Sequence, residues 1–398
     1  LDESYVSPVP LPDEIVVGSS LPLSGKIAFI GIDARRGMEL AVRDAQALLW
    51  GSTLVIDFRD DAFEKEQSIV NFDRIMGSDP AAIIGPLGSL ISSAALPIAQ
   101  SNSVPAVTLS APDNGLTDIG EFIFSSLPMM SLEGPGAALN ALDAAGLSYS
   151  RPAIAKSEDY QTGLIYMEKM VGELAGRGVE PVREVTFFEA DTNFSTQVTA
   201  IKDADPDAVF ISGGLPAIAL LVKQLRASGV TATVVGDIGT TPKTFLEQAG
   251  DSAEGVVGIV YWQPGSPGET ETSKTFLSDY VSEYGEEPTL YSAVGYDTVM
   301  SVAHAVRQAG SVDPTAIRDA LANLKPFEGV MGPTNSYSEA RTMTSSPVAV
   351  VWTDGALELL DESYVSPVPL PDEIVVGSSL PLSGKIAFIG IDARRGME

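Results

Sequence analysis

Glu14-Ile15-Val16-Val17-Gly18-Ser19-Ser20-Leu21 runs straight into Pro22-Leu23-Ser24-Gly25, and helical spacing follows over 34–49 through Met38, Leu40, Ala41 and Ala45. A β-branched run, a turn and an amphipathic stretch in that order make one β-α unit. The rhythm then repeats. Residues 54–58 read as a second strand, 64–76 as a helix, 81–84 as a third strand and 105–109 as a fourth, with a helix reaching about residue 100 between the last two. Uninterrupted apolar strands alternating with helices predict a parallel sheet covered on both faces.

A second series starts near Pro152. Its predicted strands are 153–155, 183–188, 208–212, 233–236 and 255–262, separated by helices over 163–177, 194–203, 216–228 and 241–249. Helices over 273–284, 290–309 and 314–324 follow, then a closing strand at 348–352. The expected fold is α/β: two doubly wound parallel-sheet lobes joined by a multi-strand hinge. Residues 1–128 form lobe 1, with 265–355 returning to it; 129–264 form lobe 2, and 356–371 a linker. In such sheets ligands lie outside the carboxyl ends of the strands, here between the lobes.

Residues 1–39 recur without a single change as 360–398. Natural repeats drift, and stacked repeat architectures need at least three copies. One unchanged copy points to a recent duplication, or to a reading frame run through a join, and leaves a working unit of about 359 residues. Both copies carry the same strand, and a lobe has one slot for it. The first copy continues into a full helix and is expected to hold the slot. The second is expected to be surplus, dangling or pairing with a neighbouring molecule.

Composition narrows the function. The 398-residue chain has a formal net charge of −29, which repels nucleic acid and anionic membrane surfaces. It contains no cysteine, so disulfides, thiolate metal sites and a cysteine nucleophile are excluded. No apolar run approaches the length of a membrane-spanning helix. The chain begins at Leu1, which leaves open a trimmed signal peptide or a lipid-bearing leader.

An ordered series of motifs then carries a resemblance. It comprises Val16-Val17-Gly18, Pro22 to Gly25, Arg35 to Ala41, Ile84 to Ser89, Val104-Pro105, Ser110-Ala111 and Asp159 to Gly163, then Val209 to Gly214 and Tyr291 to Asp297. In this order the chain resembles the substrate-binding proteins of branched-chain amino-acid ABC transporters, over essentially all of 14–355. The resemblance implies a periplasmic-binding-protein fold of type I, whose cleft closes on its ligand.

It also implies site residues. The family's carboxylate-binding serine matches Ser89, where a strand hands over to a helix whose first amides lack internal partners. The plain alternative for Ser89 is an N-cap. Ser110 and Ala111 match a second ligand loop, but Pro112 stands where the family carries a threonine and supplies neither hydroxyl nor amide. Tyr160 matches an aromatic from the second lobe, with half-buried packing as its alternative. The acid expected opposite an ammonium falls in Gly236-Asp237-Ile238-Gly239, with Asp237 one place early and Ile238 in the slot. Phe29, Ile30, Leu215 and Trp262 would supply an apolar wall, or serve only as packing.

Catalytic readings are thin. His304 is the only histidine and sits in a helical stretch, which removes most triads. There is no Walker loop or Gly-x-Gly-x-x-Gly. Asp60, Asp61 and Glu64 raise a metal site, although adjacent acids at a strand end are ordinarily solvated. The expected protein is therefore no enzyme, needs no cofactor or metal, and binds no nucleic acid. It is expected to be a periplasmic or extracellular monomer that captures a small carboxylate-bearing ligand, such as a branched-chain amino acid, for an ABC permease. A ligand-sensing domain of a signalling receptor on the same fold is the alternative.

Overall fold

A computed structural model describes residues 11–25, 27–110 and 115–360. Strand β1 (Glu14–Leu21) leads through loop 22–25 into helix α1 (Ala28–Ala45). There follow β2 (Thr53–Asp60), α2 (Lys65–Met76), β3 (Ala82–Ile84), α3 (Ser89–Ser101), β4 (Ala106–Thr108) and β5 (Ile123–Ser125). These strands form one sheet in the order β2-β1-β3-β4-β5, with every pairing parallel. Val17 sits at its centre, opposite Ile56 on one side and Ala82 on the other, and is wholly buried. β1 from the first copy of the repeat thus has partners along both edges. Its counterpart at 374–380 lies outside the described residues.

The chain then crosses to a second sheet. Helix α4 (Met130–Ala144) comes first, then β6 (Pro152–Ser157), α5 (Gln161–Gly176), β7 (Arg183–Phe187), α6 (Ser195–Ala204) and β8 (Ala208–Ser212). After these come α7 (Leu215–Ala227), β9 (Thr233–Gly236), α8 (Lys243–Ala249) and β10 (Val257–Val260). Helices α9 (Glu271–Tyr284), α10 (Leu290–Ala309) and α11 (Pro314–Ala322) return to the first lobe, where α9 and α10 pack on α1. The chain crosses once more into β11 (Val348–Thr353) and β12 (Ala356–Leu359). The second sheet has the order β12-β11-β10-β9-β8-β6-β7; it is parallel except for the antiparallel pairs β10–β11 and β11–β12.

The structure differs from the sequence reading at several places. Helix α1 starts six residues before 34, because Gly31 lets its first turn press on the Pro22 carbonyl, where a Cβ would meet oxygen at 2.2 Å. Helix α4 runs through Gly134-Pro135-Gly136, which reads locally as a turn, because Ala138, Leu139 and Leu142 are buried. The closing strand β11 joins the second sheet rather than the first. It pairs antiparallel with β10, then turns through Asp354 and Gly355, both with positive φ, into β12. Residues 356–359 are therefore strand rather than linker. Leu360, the first residue of the second copy, is buried and its amide donates to the Ala349 carbonyl at 2.9 Å.

Two glycines set the first lobe's tightest contact. A Cβ on Gly37 of α1 would lie 1.9 Å from the Ser292 carbonyl oxygen, and one on Gly295 of α10 would lie 2.2 Å from that of Ala34. The helices therefore pack backbone to backbone. Two residues beyond Gly295, Asp297 is fully buried and accepts from the amides of Val330 (2.7 Å) and Met331 (2.8 Å) and from Asn335 Nδ2 (2.6 Å). It ties the irregular segment after α11 to α10.

Burial pushes the Asp297 carboxyl up to about 6, against the pull of its three donors. Its folded value then lies above its unfolded one, so the folded state holds the proton more tightly as pH falls. Wild type should gain stability relative to Asp297→Asn as pH falls from 7 towards 4, by at most about 1.4 kcal/mol per pH unit. Urea unfolding of both proteins across that range measures the gap; a flat difference would place the carboxyl at its ordinary value.

Candidate functional site

A cavity of about 440 Å³ lies between the lobes. From the first lobe, β3 ends in Gly85-Pro86-Leu87-Gly88, and Gly88 takes the cap position of α3 with φ 88°. Ser89 is the first helical residue, and among the described residues its hydroxyl makes no hydrogen bond. The first bond of this turn runs from Ser92 N–H to the Gly88 carbonyl, at 2.9 Å. The amides before it have no acceptor within the helix, and Gly88, Ser89 and Leu90 all line the cavity. A helix start of this kind favours an anion.

Ser110, after β4, also lines the cavity. Its hydroxyl lies 3.1 Å from that of Ser92, which lies 2.9 Å from Thr108 Oγ1; Thr108 in turn donates to the Pro86 carbonyl at 2.9 Å. Ser125 donates to the Ser110 carbonyl at 2.7 Å. This buried relay of hydroxyls fixes the loop from below. Ala111 and Pro112 lie outside the described residues.

The second lobe supplies the opposite polarity. Asp237 follows β9 and lines the cavity with only 4% of its surface exposed. One carboxylate oxygen accepts from the Ser212 hydroxyl at the end of β8, and the other from the Gly239 amide at 2.8 Å. Thr240 donates to the Asp237 carbonyl at 2.9 Å, and the Trp352 indole donates to the Thr240 carbonyl at 2.7 Å, so the turn is braced from the sheet. Tyr160 stands at the start of α5. The bare Cα of Gly163 makes room beside it, since a Cβ there would lie 2.5 Å from Ser212 Oγ and 2.6 Å from the Tyr160 ring.

The structure therefore brings Ser89, Ser110, Tyr160 and Asp237 to one cavity. It sets the expected apolar wall apart. Phe29, Ile30 and Trp262 line a second cavity of about 410 Å³, which shares Ile238 and Tyr291 with the first. Trp262 is buried, donates to Ser273 Oγ at 3.2 Å and meets Phe276 edge-on. Leu215 packs against the core of the second lobe.

Asp61 is not solvated, as adjacent acids at a strand end were expected to be. It is fully buried, accepts from Ser20 Oγ (2.9 Å) and the Phe63 amide (3.0 Å), and burial pushes its carboxyl up. Asp60 accepts from the amides of Leu23 (2.9 Å), Ser24 (3.2 Å) and Ala62 (2.8 Å). Burial pushes its carboxyl up too, but these donors and the Ser24 side chain outweigh it and hold the group below its usual range. Together the two acids brace a loop in which Ala62 and Phe63 adopt φ of 51° and 63°. The Phe63 ring, 39% exposed, lies at the cavity beside Gly88.

Tyr166, Tyr261 and Tyr291 also line the cavity and were missed in the sequence. For Tyr166 a signal existed, as it lies six residues beyond Tyr160 on the buried face of α5 with Met167, Met170 and Leu174. Tyr261 reaches back to the Pro128 carbonyl at 3.2 Å, a contact across the hinge. His304 stacks on Phe327, and burial together with Arg307 lowers its pKa to about 4, so its imidazole stays neutral near pH 7.

A family model for periplasmic binding proteins matches residues 14–356. Leu/Ile/Val-binding protein homolog 2 of Brucella abortus is 24% identical over 354 residues, covering 86% of this chain and 91% of that one. A leucine-, isoleucine-, valine-, threonine- and alanine-binding protein of Pseudomonas aeruginosa is 22% identical over 316 residues, covering 78% and 82%. A leucine-binding protein of Thermotoga maritima superposes with a TM-score of 0.75 at 26% identity, over 89% of this chain and 99% of that one. A branched-chain amino acid transporter substrate-binding protein of Streptococcus pneumoniae, in complex with isoleucine, gives 0.74 at 25% identity, over 87% and 99%.

The Ser212–Asp237 bond is testable without any ligand. Ser212→Ala removes one donor from a buried carboxylate and should destabilise the protein by about 1–3 kcal/mol, read as a lower urea midpoint. An unchanged midpoint would show that Asp237 finds an equal partner elsewhere.

Proposed function

This chain belongs to the periplasmic binding protein family, and from that premise we propose that it captures a free amino acid of the branched-chain class for an ABC permease outside the cytoplasm. The observation that carries the reading is the opposed polarity of one cavity. The open start of α3 and Ser89 face it from the first lobe, and the Asp237 carboxylate faces it from the second. A zwitterion fits that arrangement with its carboxylate on the helix start and its ammonium towards Asp237. Leu109, Leu127, Met130 and Ile238 add apolar surface to the lining, as an aliphatic side chain requires.

The names of the relatives support the same class, since they are described as binding leucine, isoleucine or valine. No covalent step is needed. A ligand that touches both lobes binds the closed arrangement better than the open one, and closure follows from that difference. Asp237 takes the role of ammonium partner although it stands one residue earlier than the family pattern. A buried ammonium without a carboxylate would cost several kcal/mol.

Leucine, isoleucine and valine should each raise the melting temperature by several degrees, since ligand at 100 times its dissociation constant adds about 2.7 kcal/mol. Ser89→Ala should weaken leucine binding by about 1–3 kcal/mol in calorimetry, the worth of a hydrogen bond to a charged group. Silence from all amino acids would overturn the reading, and unchanged affinity in the variant would remove Ser89 from the site.

A further inference from the structure

Tyr166 is the least explained group at the cavity. It is 1% exposed, lines the cavity from α5, and its hydroxyl has no hydrogen-bond partner among the described residues. Its ring is held by packing instead: a Cβ on Gly134 of α4 would lie 3.0 Å from ring atom Cε2. Phenylalanine would fill the same space without leaving a polar atom unsatisfied. Buried hydroxyls are nearly always paired in folded proteins, so an orphan calls for a reason. Tyrosine is costly here unless something else completes the bond.

Asp237 is the neighbour that gives the orphan its meaning. The phenol proton is held more tightly than usual, first by burial and then by the charge of Asp237. Both groups line the cavity from the second lobe. The carboxylate already accepts from Ser212 and Gly239, one bond to each oxygen. An ammonium offers three N–H donors, more than that carboxylate alone takes up well. A phenol oxygen beside it is a further acceptor.

We infer that the Tyr166 hydroxyl is a ligand-binding group, left without an internal partner so that its oxygen accepts from a ligand ammonium also paired with Asp237. This rests on the amino-acid reading above and sharpens it. Ligands with a protonated amine gain both contacts and bind more tightly, and the deaminated acid of the same skeleton loses both. Tyr166 then separates amino acids from plain carboxylates, while the first lobe holds the carboxylate that both share.

The test is Tyr166→Phe in the full chain, with leucine and 4-methylpentanoate as probes. Leucine affinity should fall about 5- to 30-fold, with 4-methylpentanoate bound as wild type binds it. The unliganded variant should melt at the wild-type temperature or above, because an unpaired hydroxyl has been removed. Unchanged leucine affinity, or equal weakening of both probes with a lower melting temperature, would overturn the inference and make the hydroxyl structural. Wild type that binds no amino acid would overturn the functional reading and this inference together. Wild-type binding with a variant ratio near one would sink Tyr166 alone.

Discussion

Because β1, β3 and β4 run parallel, their carboxyl ends reach the same edge of the first sheet, and β6, β8 and β9 do likewise in the second. Several polar groups at or beside the cavity stand at or just past one of those ends. Ser89 follows β3, Ser110 follows β4, Tyr160 follows β6, Ser212 closes β8 and Asp237 follows β9. Parallel pairing forces a long return connection after each strand, so each end opens into a loop or a helix start rather than a tight hairpin. The antiparallel β11 and β12 occupy the far edge of the second sheet, beyond β10.

Polarity within the cavity is divided by lobe. The first lobe presents the open amides of a helix start together with the Ser89 and Ser110 hydroxyls, and the second a carboxylate whose own donors hold it in place. That division lets one small molecule with two opposite charges be attracted by both halves, while a ligand with one charge satisfies one half only. Buried acids elsewhere serve the frame instead. Asp297 anchors the segment after α11, and Asp61, with the exposed Asp60 beside it, holds the loop that presents Phe63. Each cancels much of its desolvation with backbone amides, which a loop can supply and a strand in a ladder cannot.

Much of this was legible in the residues. Apolar runs located β1, β2, β8 and β9, and the period of 290–309 matched α10. What escaped depended on long-range contacts. Helix α4 hides behind Gly134-Pro135-Gly136 and is justified by the core it covers. The strand β5 is three residues long, too short for a periodicity. The Asp354-Gly355 pair was a fair hairpin signal that went unused. Of the residues matched by motif, Ser89, Ser110, Tyr160 and Asp237 line one cavity, whereas Phe29, Ile30 and Trp262 line another, since apolar residues near a cleft carry no local mark of which cavity they face. The pairing of buried Asp61 likewise depends on Ser20 of β1 and Ser68 of α2.

The account stands on a ligand bridging the two lobes. Small-angle X-ray scattering of the full chain, with and without saturating leucine, tests this most directly. Closure of the lobes predicts a smaller radius of gyration in the presence of leucine and no change with an amino acid that does not bind. Leucine bound at saturation with an unaltered scattering curve would contradict it, and would place the ligand on one lobe alone.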